Sequence, residues 1–322
     1  MSRFVAARVL AALISAAALA PCHAVALESI IWTTTGLSPL YWPVVIGIDK
    51  GFFQENGITL DWIQNSSSAA SMQQLAAGST EISSNGFVDP LRAIDKGAPI
   101  SLLRIEMIPA PYEVYAKPSI HAFTELKGKE VVVGGIKDIT RTYFERMATP
   151  NGLPPGNYDL VYAGTGAARL SALVSGSVDA AILGPPFNFK AEAANFTRLP
   201  PPADFAKGVP FSAISANTAW AKTHLPLVTK FLAAYSKAVD WFYQPGNREE
   251  AVDILAKKLS LERQEAERIY EFYTSIKAFD RSGPITKDSI GALLEVLKAQ
   301  GDIEDSIEFS RFYDPSVIAV VQ

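Results

Sequence analysis

The chain has 322 residues, of which 48% are hydrophobic and 19% are charged. This composition is typical of a packed globular protein with a substantial core, and it excludes an intrinsically disordered chain. The formal net charge is −4 and no run of lysine or arginine occurs, so we expect no nucleic-acid partner.

The N-terminus has the features of a secretory signal peptide. Arg3 and Arg8 form a short basic region, an apolar stretch follows over residues 9–20, and Ala24-Val25-Ala26 fits a cleavage site. We therefore predict that residues 1–26 are a signal peptide and that the mature chain is exported.

Cys22 is the only cysteine, so no intrachain disulfide can form. It follows Leu19-Ala20-Pro21, which is similar to a bacterial lipoprotein box, although Pro21 fits that pattern poorly. Lipid anchoring through Cys22 is therefore the alternative to a soluble mature chain.

Strands and helices alternate through the first two thirds of the chain. β-branched and aromatic residues predict strands at 29–34, 58–63, 81–84, 130–133, 158–162 and 180–183. Prolines interrupt the extended segments 100–108 and 113–116, which we interpret as a first crossing between two lobes, with 211–216 as the return. From residue 219 onward the pattern is helical, with later helices at 249–258, 262–273 and 287–299. This order predicts an α/β fold with mostly parallel sheets.

Two stretches that lie 98 positions apart have nearly the same pattern. Residues 66–86 and 164–184 each read as a small polar loop, a short helix, a Gly-Ser turn, an acidic residue, a strand and a glycine. A loop of small residues that opens a helix exposes backbone N–H groups at the positive end of the helix dipole. We predict that the two units face each other across a cleft and hold a polar ligand from both sides.

Catalytic and metal-binding motifs are missing from the sequence. Of three histidines, His23 belongs to the leader, and His121 and His224 lie in polar, loop-like contexts. No zinc-ligand spacing, nucleophile elbow or phosphate-binding loop occurs. We expect neither enzymatic activity nor a metal or other cofactor.

Five segments are predicted to follow strands at the carboxyl edges of the sheets, where open α/β folds bind ligands. They are residues 37–42, 66–69, 85–87, 135–141 and 184–187. Tyr41 and Trp42 offer rings for stacking, and Asn85 offers an amide. The residues predicted to contact a ligand are Leu37, Ser38, Tyr41, Trp42, Ser66, Ser67, Ser68, Ala69, Asn85, Gly86, Phe87, Gly135, Asp138, Thr140, Arg141, Gly184 and Pro185.

Several of these residues also have a purely structural interpretation. The two aromatic residues at 41 and 42 can pack on the lobe, the serines at 66–68 can cap a helix, and Asn85 can belong to a turn. Arg141 is either an anion-binding group, a surface charge or a salt bridge between lobes. Asp138 would repel an anion or accept a hydrogen bond from an amine, so the ligand's charge stays open.

Four segments carry a resemblance to a known family. Residues 43–58 are similar to its signature A-x-x-x-G-[FL]-F-x-x-x-G-[IL], and residues 76–82 resemble its element L-x-x-G-x-x-D, with Glu81 in place of the usual aspartate. Residues 126–129 and 174–181 are similar to the elements of its second lobe. The chain resembles periplasmic solute-binding proteins of ABC importers, in the NMT1/THI5-like branch of sulfonate, taurine, nitrate and thiamine-pyrimidine binders.

The resemblance implies a two-lobed α/β fold of the type II periplasmic-binding-protein class, with two crossover strands as the hinge. Lobe 1 would comprise residues 27–112 and 217–322, and lobe 2 residues 113–216. It implies a monomeric, periplasmic, non-catalytic protein whose partners are a small-molecule ligand and the transmembrane subunits of an ABC permease.

Tyr41, Trp42 and Phe87 favour an aromatic or heteroaromatic ligand, and an organic anion is the other candidate. Two alternative functions stay open. One is an enzyme that acts on a pyrimidine-like molecule on the same scaffold, and the other is a ligand sensor without transport.

Overall fold

The computed structural model describes residues 27–65 and 67–318. The predicted signal peptide with Cys22, and the candidate site residue Ser66, lie outside the described residues.

Within residues 27–65 and 67–318, ten strands form two five-stranded mixed sheets. The strands are β1 (Glu28–Thr35), β2 (Ile58–Asn65), β3 (Ile82–Gly86), β4 (Ile100–Met107), β5 (Glu113–Ala116), β6 (Glu130–Val133), β7 (Asp159–Tyr162), β8 (Ala180–Leu183), β9 (Thr197–Leu199) and β10 (Ser212–Asn217). The first sheet has the order β2-β1-β3-β10-β4, and the second has the order β7-β6-β8-β5-β9.

The two sheets are built alike. β1 is parallel to β2 and β3, and β6 is parallel to β7 and β8. The fourth strand of each sheet, β10 or β5, runs antiparallel to both of its neighbours. The predicted, mostly parallel α/β fold is confirmed, with one antiparallel strand in each sheet.

In the part of the chain that the structure describes, thirteen α-helices surround the sheets. They are α1 (Trp42–Asp49), α2 (Phe52–Glu55), α3 (Ser68–Ala77), α4 (Val88–Asp95), α5 (Ile139–Ala148), α6 (Gly166–Val174), α7 (Phe187–Ala193), α8 (Thr218–Thr223), α9 (Leu225–Phe242), α10 (Arg248–Leu259), α11 (Arg263–Ser275), α12 (Lys287–Ala299) and α13 (Pro315–Ile318). Among the described residues, none of these helices is long and apolar enough to span a bilayer.

The end of α1 near Gly51 has a local cause. Gly51 has a φ of 73°, a left-handed conformation that costs glycine little because it has no Cβ. The chain turns there from α1 into the short helix α2. Phe53 then packs at 5.4 Å from the ring of Phe231 in α9, so the C-terminal helices complete the first lobe's core.

The chain crosses between the sheets twice. The first crossing lies between β4 and β5, where Pro109 and Pro111 were expected to interrupt the extended segment. The second lies between β9 and β10. Because β10 pairs with β3 and β4, residues 212–216 belong to the first sheet, although the sequence-based division assigned them to lobe 2.

Candidate ligand-binding cleft

A cleft of about 610 Å³ lies between the two lobes. It is bounded by residues at or just beyond the carboxyl ends of all six strands β1, β2, β3, β6, β7 and β8. The lining comprises Thr35, Gly36, Leu37, Ser38, Leu40, Tyr41, Asn65, Ser68, Asn85, Gly86, Asp89, Pro111, Tyr112, Asp138, Ile139, Thr140, Gly164, Thr165, Gly166, Ala167, Arg169, Gly184, Pro185, Phe187, Phe211 and Tyr273. Its position agrees with the general location of ligand sites in open α/β sheets.

Helix starts from both lobes border this cleft. Ser67 caps α3 by accepting a hydrogen bond from the backbone N–H of Ala70 at 3.2 Å. Thr165 caps α6 by accepting one from the N–H of Ala168 at 3.1 Å. The neighbouring Ser68, Gly166 and Ala167 line the cleft. The two sequence units therefore place equivalent helix N-termini at one cavity.

Phe187 explains the glycine at the second of these helix starts. A Cβ at Gly166 would collide with the ring of Phe187, which also lines the cleft. The absence of a side chain at residue 166 thus lets an aromatic ring pack directly on the first turn of α6.

Five aromatic side chains line the cleft: Tyr41, Tyr112, Phe187, Phe211 and Tyr273. The rings of Tyr112 and Phe211 meet edge to face at 5.4 Å, and they come from the two segments that cross between the lobes. Tyr41 packs edge to face on Trp32 at 5.6 Å. Such rings present apolar and polarisable surface to a small ligand.

Trp42 does not reach the cleft, although stacking on a ligand was predicted for it. Its side chain is fully buried, and its indole N–H donates to the carbonyl oxygen of Ala251 at 3.1 Å. It packs at 5.1 Å on Phe242 and at 6.3 Å on Tyr273. Trp42 is therefore a core residue that supports Tyr273, which does line the cleft.

The other predicted aromatic residue and the predicted arginine also lie outside the lining. Phe87 is fully buried at the start of α4. Arg141 pairs with Glu145 one helical turn away at 2.7 Å and donates to the carbonyl oxygen of Ile136 at 2.9 Å. Arg141 is thus held within its own segment, neither facing the ligand cleft nor bridging the lobes.

Ten of the predicted site residues line the cleft together: Leu37, Ser38, Tyr41, Ser68, Asn85, Gly86, Asp138, Thr140, Gly184 and Pro185. Six others do not line it: the three residues described above, together with Ser67, which caps α3, Ala69, which is exposed, and Gly135. Ser66 lies outside the described residues.

Asn85 was predicted to offer its side-chain amide to a ligand. Contacts within the protein already use much of the hydrogen-bonding capacity of this amide. Its carbonyl oxygen accepts from the hydroxyl of Thr35 at 2.6 Å, and its NH₂ group donates to the hydroxyl of Ser83. The side chain is therefore held rigidly at the wall of the cleft, with a fixed orientation toward any bound molecule.

Asp138 begins α5 and carries one of the two carboxylates of the cleft. Its Oδ1 atom accepts hydrogen bonds from the backbone N–H of Thr140 at 2.8 Å and from the Thr140 hydroxyl. A Cβ at Gly134 would lie 2.5 Å from Oδ1 and 3.0 Å from Oδ2, so glycine is required where the carboxylate folds over the loop.

Asp89 carries the second carboxylate, in the first turn of α4, and the sequence-based prediction did not include it. Its side chain is 30% exposed. Burial in the cleft raises the pKa of Asp89 to about 6, and the charge of Asp138 adds to this increase, whereas the Ser68 hydroxyl and Arg92 oppose it. The charge of Asp138 thus disfavours the ionised form of Asp89.

Arg169 is the only basic side chain among the described residues that line the cleft. It is 4% exposed, and its Nε atom donates to the carbonyl oxygen of Ile182 at 2.8 Å. Its Nη1 atom donates to the carbonyl oxygens of Ala163 and Gly164 at 3.3 and 3.2 Å. These bonds tie the loop before α6 to the end of β8, so Arg169 shapes this wall.

Three of the additional lining residues have no local sequence signal. Tyr112, Phe211 and Tyr273 come from crossing segments and a C-terminal helix that meet only in the folded chain. Gly164, Thr165, Gly166 and Ala167 are different, because the internal repeat predicted their position. No group of three or more potential metal ligands occurs in the part of the chain that the structure describes.

Comparisons with known proteins agree with this geometry. A family model described as NMT1/THI5 like matches residues 38–248. Comparison of the sequence with curated proteins found no match.

Solved structures share the fold at low sequence identity. The periplasmic aliphatic sulphonate binding protein SsuA from Escherichia coli has a TM-score of 0.73 at 17% identity, covering 89% of this chain and 92% of its own. The alkanesulfonate-binding protein SsuA from Xanthomonas axonopodis pv. citri, bound to MOPS, has a TM-score of 0.70 at 16% identity, covering 92% and 98%.

A complex of DSZB with biphenyl-2-sulfinic acid has a TM-score of 0.69 at 14% identity, with 91% and 98% coverage. Similarities at this identity establish the two-lobed periplasmic-binding-protein fold. Because the family model covers more than half of the sequence, the family is also established, and the chain belongs to the NMT1/THI5-like family.

Proposed function

We propose that this protein is the extracytoplasmic solute-binding subunit of an ABC transporter, which captures a small organic molecule in the cleft and delivers it to a permease. The observation that carries this proposal is the cleft of about 610 Å³ lined by strand ends from both lobes. Its volume lies within the range of small-molecule sites, and its mixture of rings and polar groups is typical of them.

A binding cycle follows from this arrangement. The ligand enters between the lobes and contacts residues of both, so it stabilises the form in which the lobes lie close together. That ligand-bound form would then be the one that docks on the permease. The two segments that cross between the lobes are the parts of the backbone that a hinge motion would bend.

The division into lobes is part of this proposal. Lobe 1 comprises residues 27–112 and the C-terminal part of the chain, and lobe 2 begins at residue 113. The boundary at 216 moves toward the N-terminus, because β10 pairs with strands of the first sheet.

Export of the chain also belongs to the proposal. Removal of residues 1–26 would give a mature protein that begins near Leu27. Mass spectrometry of the protein from a bacterial host, after separation of periplasmic and membrane fractions, distinguishes this from lipid attachment at Cys22. Light scattering of the same sample tests the expected monomer.

The test of the proposed function has two stages. Titration calorimetry against aromatic acids, sulfonates, pyrimidines and organic amines should find one class that binds saturably, and the bound molecule should be recovered unchanged. The loaded protein should then stimulate ATP hydrolysis by the reconstituted permease.

Each alternative gives a different result. Chemical conversion of the bound molecule would support an enzyme, and binding without stimulation of the ATPase would support a sensor. Among the described residues that line the cleft, none is a cysteine or a histidine, which weighs against the enzymatic alternative.

A further inference from the structure

The balance of charge in the cleft is negative. Of its three charged side chains, Asp89 and Asp138 are acidic, and Arg169 is basic. Three hydrogen bonds of Arg169 go to main-chain carbonyl oxygens, and its guanidinium is almost fully buried. The Nη2 group of Arg169 takes no part in these three bonds, so the cleft offers a ligand two carboxylates and one partly engaged guanidinium.

Neither carboxylate is well neutralised by the protein. The closest basic atom to Asp89 belongs to Arg92, at 3.9 Å, which is the outer limit of an ion pair. Arg92 is also engaged with Asp302 and with the carbonyl oxygen of Lys137. Asp138 receives its hydrogen bonds from Thr140, through Oδ1. A bound anion would add a third negative charge to this region.

The aromatic side chains supply an independent observation. Tyr41, Tyr112, Phe187, Phe211 and Tyr273 surround the same cavity, and the faces of aromatic rings attract cations. Carboxylates at opposite walls together with several rings form an environment that favours an organic cation over an anion of the same size.

We propose that the ligand is a small organic cation, with a protonated amine or an amidinium group that binds between Asp89 of the first lobe and Asp138 of the second. This inference rests on the proposed function, because it names the class of molecule that the cleft captures. The positive group relieves the repulsion between the carboxylates and joins one lobe to the other. The ligand would thus favour the closed arrangement through contacts that neither lobe makes alone.

Three probes of nearly equal shape test the charge of the ligand: benzamidine, benzamide and benzoate. We expect benzamidine to bind saturably in calorimetry and to raise the melting temperature. Benzamide and benzoate should bind at least tenfold more weakly. A wider panel of organic amines, sulfonates and neutral heterocycles extends the same comparison.

Two isosteric variants test the residues. Asp89→Asn and Asp138→Asn should each weaken benzamidine binding at least tenfold. Asparagine is a good N-cap, so the second variant keeps the start of α5. Asp159→Asn is the matched control, because Asp159 is an exposed aspartate outside the cleft, and this variant should bind as the unaltered protein does. Circular dichroism confirms that each variant is folded.

The outcomes separate this inference from the proposed function. Preferential binding of benzoate, a sulfonate or a neutral molecule would overturn the cation and leave a solute-binding protein. Cation binding that survives both variants would overturn the assignment of Asp89 and Asp138. Failure of every class in the panel to bind would overturn the proposed function as well.

Discussion

Ser67 and Thr165, which are 98 positions apart, make the same hydrogen bond in two different lobes. Each accepts from the backbone N–H three residues later, and each begins a helix that borders the cleft. The internal repeat in the sequence is thus a repeated helix start.

Removal of either cap should destabilise the protein. We expect Ser67→Ala and Thr165→Ala each to lower the free energy of unfolding by ~1 kcal/mol, because one N–H group of the first turn loses its partner. Urea denaturation monitored by circular dichroism measures this. The double variant should show the sum of the two effects, because distant sites act independently.

Ser171→Ala is the matched control for the caps. Ser171 is exposed within α6, where alanine is the better helix former, so stability should stay equal or rise slightly. Equal effects of Ser171→Ala and Thr165→Ala would contradict the assigned role of Thr165.

Local patterns were sufficient to predict the repeated helix starts and most of the strands, although β9 (Thr197–Leu199) was not predicted. The strands at Glu130–Val133 and Ala180–Leu183 have the predicted bounds, since short β-branched or apolar runs between turns are a local signal. The carboxyl ends of parallel strands lie at the same edge of a sheet, and these edges of the two sheets border the cleft, which is why ten predicted residues line it together.

Long-range packing decided the remaining residues. Trp42 and Tyr273 both lie in helices, and no local pattern tells which of the two rings reaches the cleft. Asp89 stands in the first turn of a helix, where an acidic residue is common for electrostatic reasons alone. Whether Asp89 lies in a cleft depends on how the second lobe, with Asp138, packs against the first, and no local sequence pattern predicts this.

Gly184 should be intolerant of a side chain. A Cβ there would lie 2.7 Å from the carbonyl oxygen of Pro111 and 3.2 Å from the Tyr112 ring. We expect Gly184→Ala to cost ~1–3 kcal/mol of stability through overpacking. Gly164→Ala is the control, because a Cβ at residue 164 would meet no other atom within 4 Å. Thermal melts of the two variants should differ, and equal melting temperatures would show that the crossing segment shifts at no cost.

Asp89 should make the free protein less stable as the pH rises from 4 to 6. In the folded protein the pKa of Asp89 is about 6, above the ordinary value of 3.8. The stability that the protonated carboxyl contributes is therefore complete below pH 3.8 and is lost as the pH rises through about 6. Asp89→Asn should raise stability at pH 7 by ~1–2 kcal/mol, after allowance for solvent in the cleft. Arg92 and Asp138 are the charged groups that act on Asp89.

Melting temperatures over this pH range provide the measurement. The difference between Asp89→Asn and the unaltered protein should grow from pH 4 to pH 7, and Asp159→Asn should show no such trend. A difference that is constant with pH would show that the carboxylate is not strained by its surroundings.

Glu106 should make the stability of the protein depend on pH over a higher range than Asp89 does. Glu106 lies in β4 and is buried inside the first lobe. Burial raises its pKa to about 8, although the Ser84 hydroxyl donates to it at 2.9 Å and the charge of Arg104 also opposes the increase. Since the folded pKa is the higher one, stability should fall as the pH rises from about 4.5 to 8, by up to ~1.4 kcal/mol per unit. Glu106→Gln should flatten the profile between pH 7 and 8, where Asp89 is already ionised. An unchanged slope in this variant would show that the carboxyl is ionised throughout.

Asp302 should have the opposite dependence on pH. Burial alone would raise its pKa, but hydrogen bonds from Lys137 and Arg92 outweigh this and hold the pKa of Asp302 below its ordinary value. Its contribution to stability is therefore complete above about pH 3.8 and is lost as the pH falls through the lower, folded pKa.

Because Arg92 is largely buried, Asp302→Asn should cost ~3 kcal/mol at neutral pH. Lys137→Ala, which removes the exposed partner at 2.9 Å, should cost less than ~1 kcal/mol. Urea denaturation at pH 7 and pH 3 measures both effects, and a cost for Asp302→Asn that is no smaller at pH 3 than at pH 7 would contradict the ionic character of this contact.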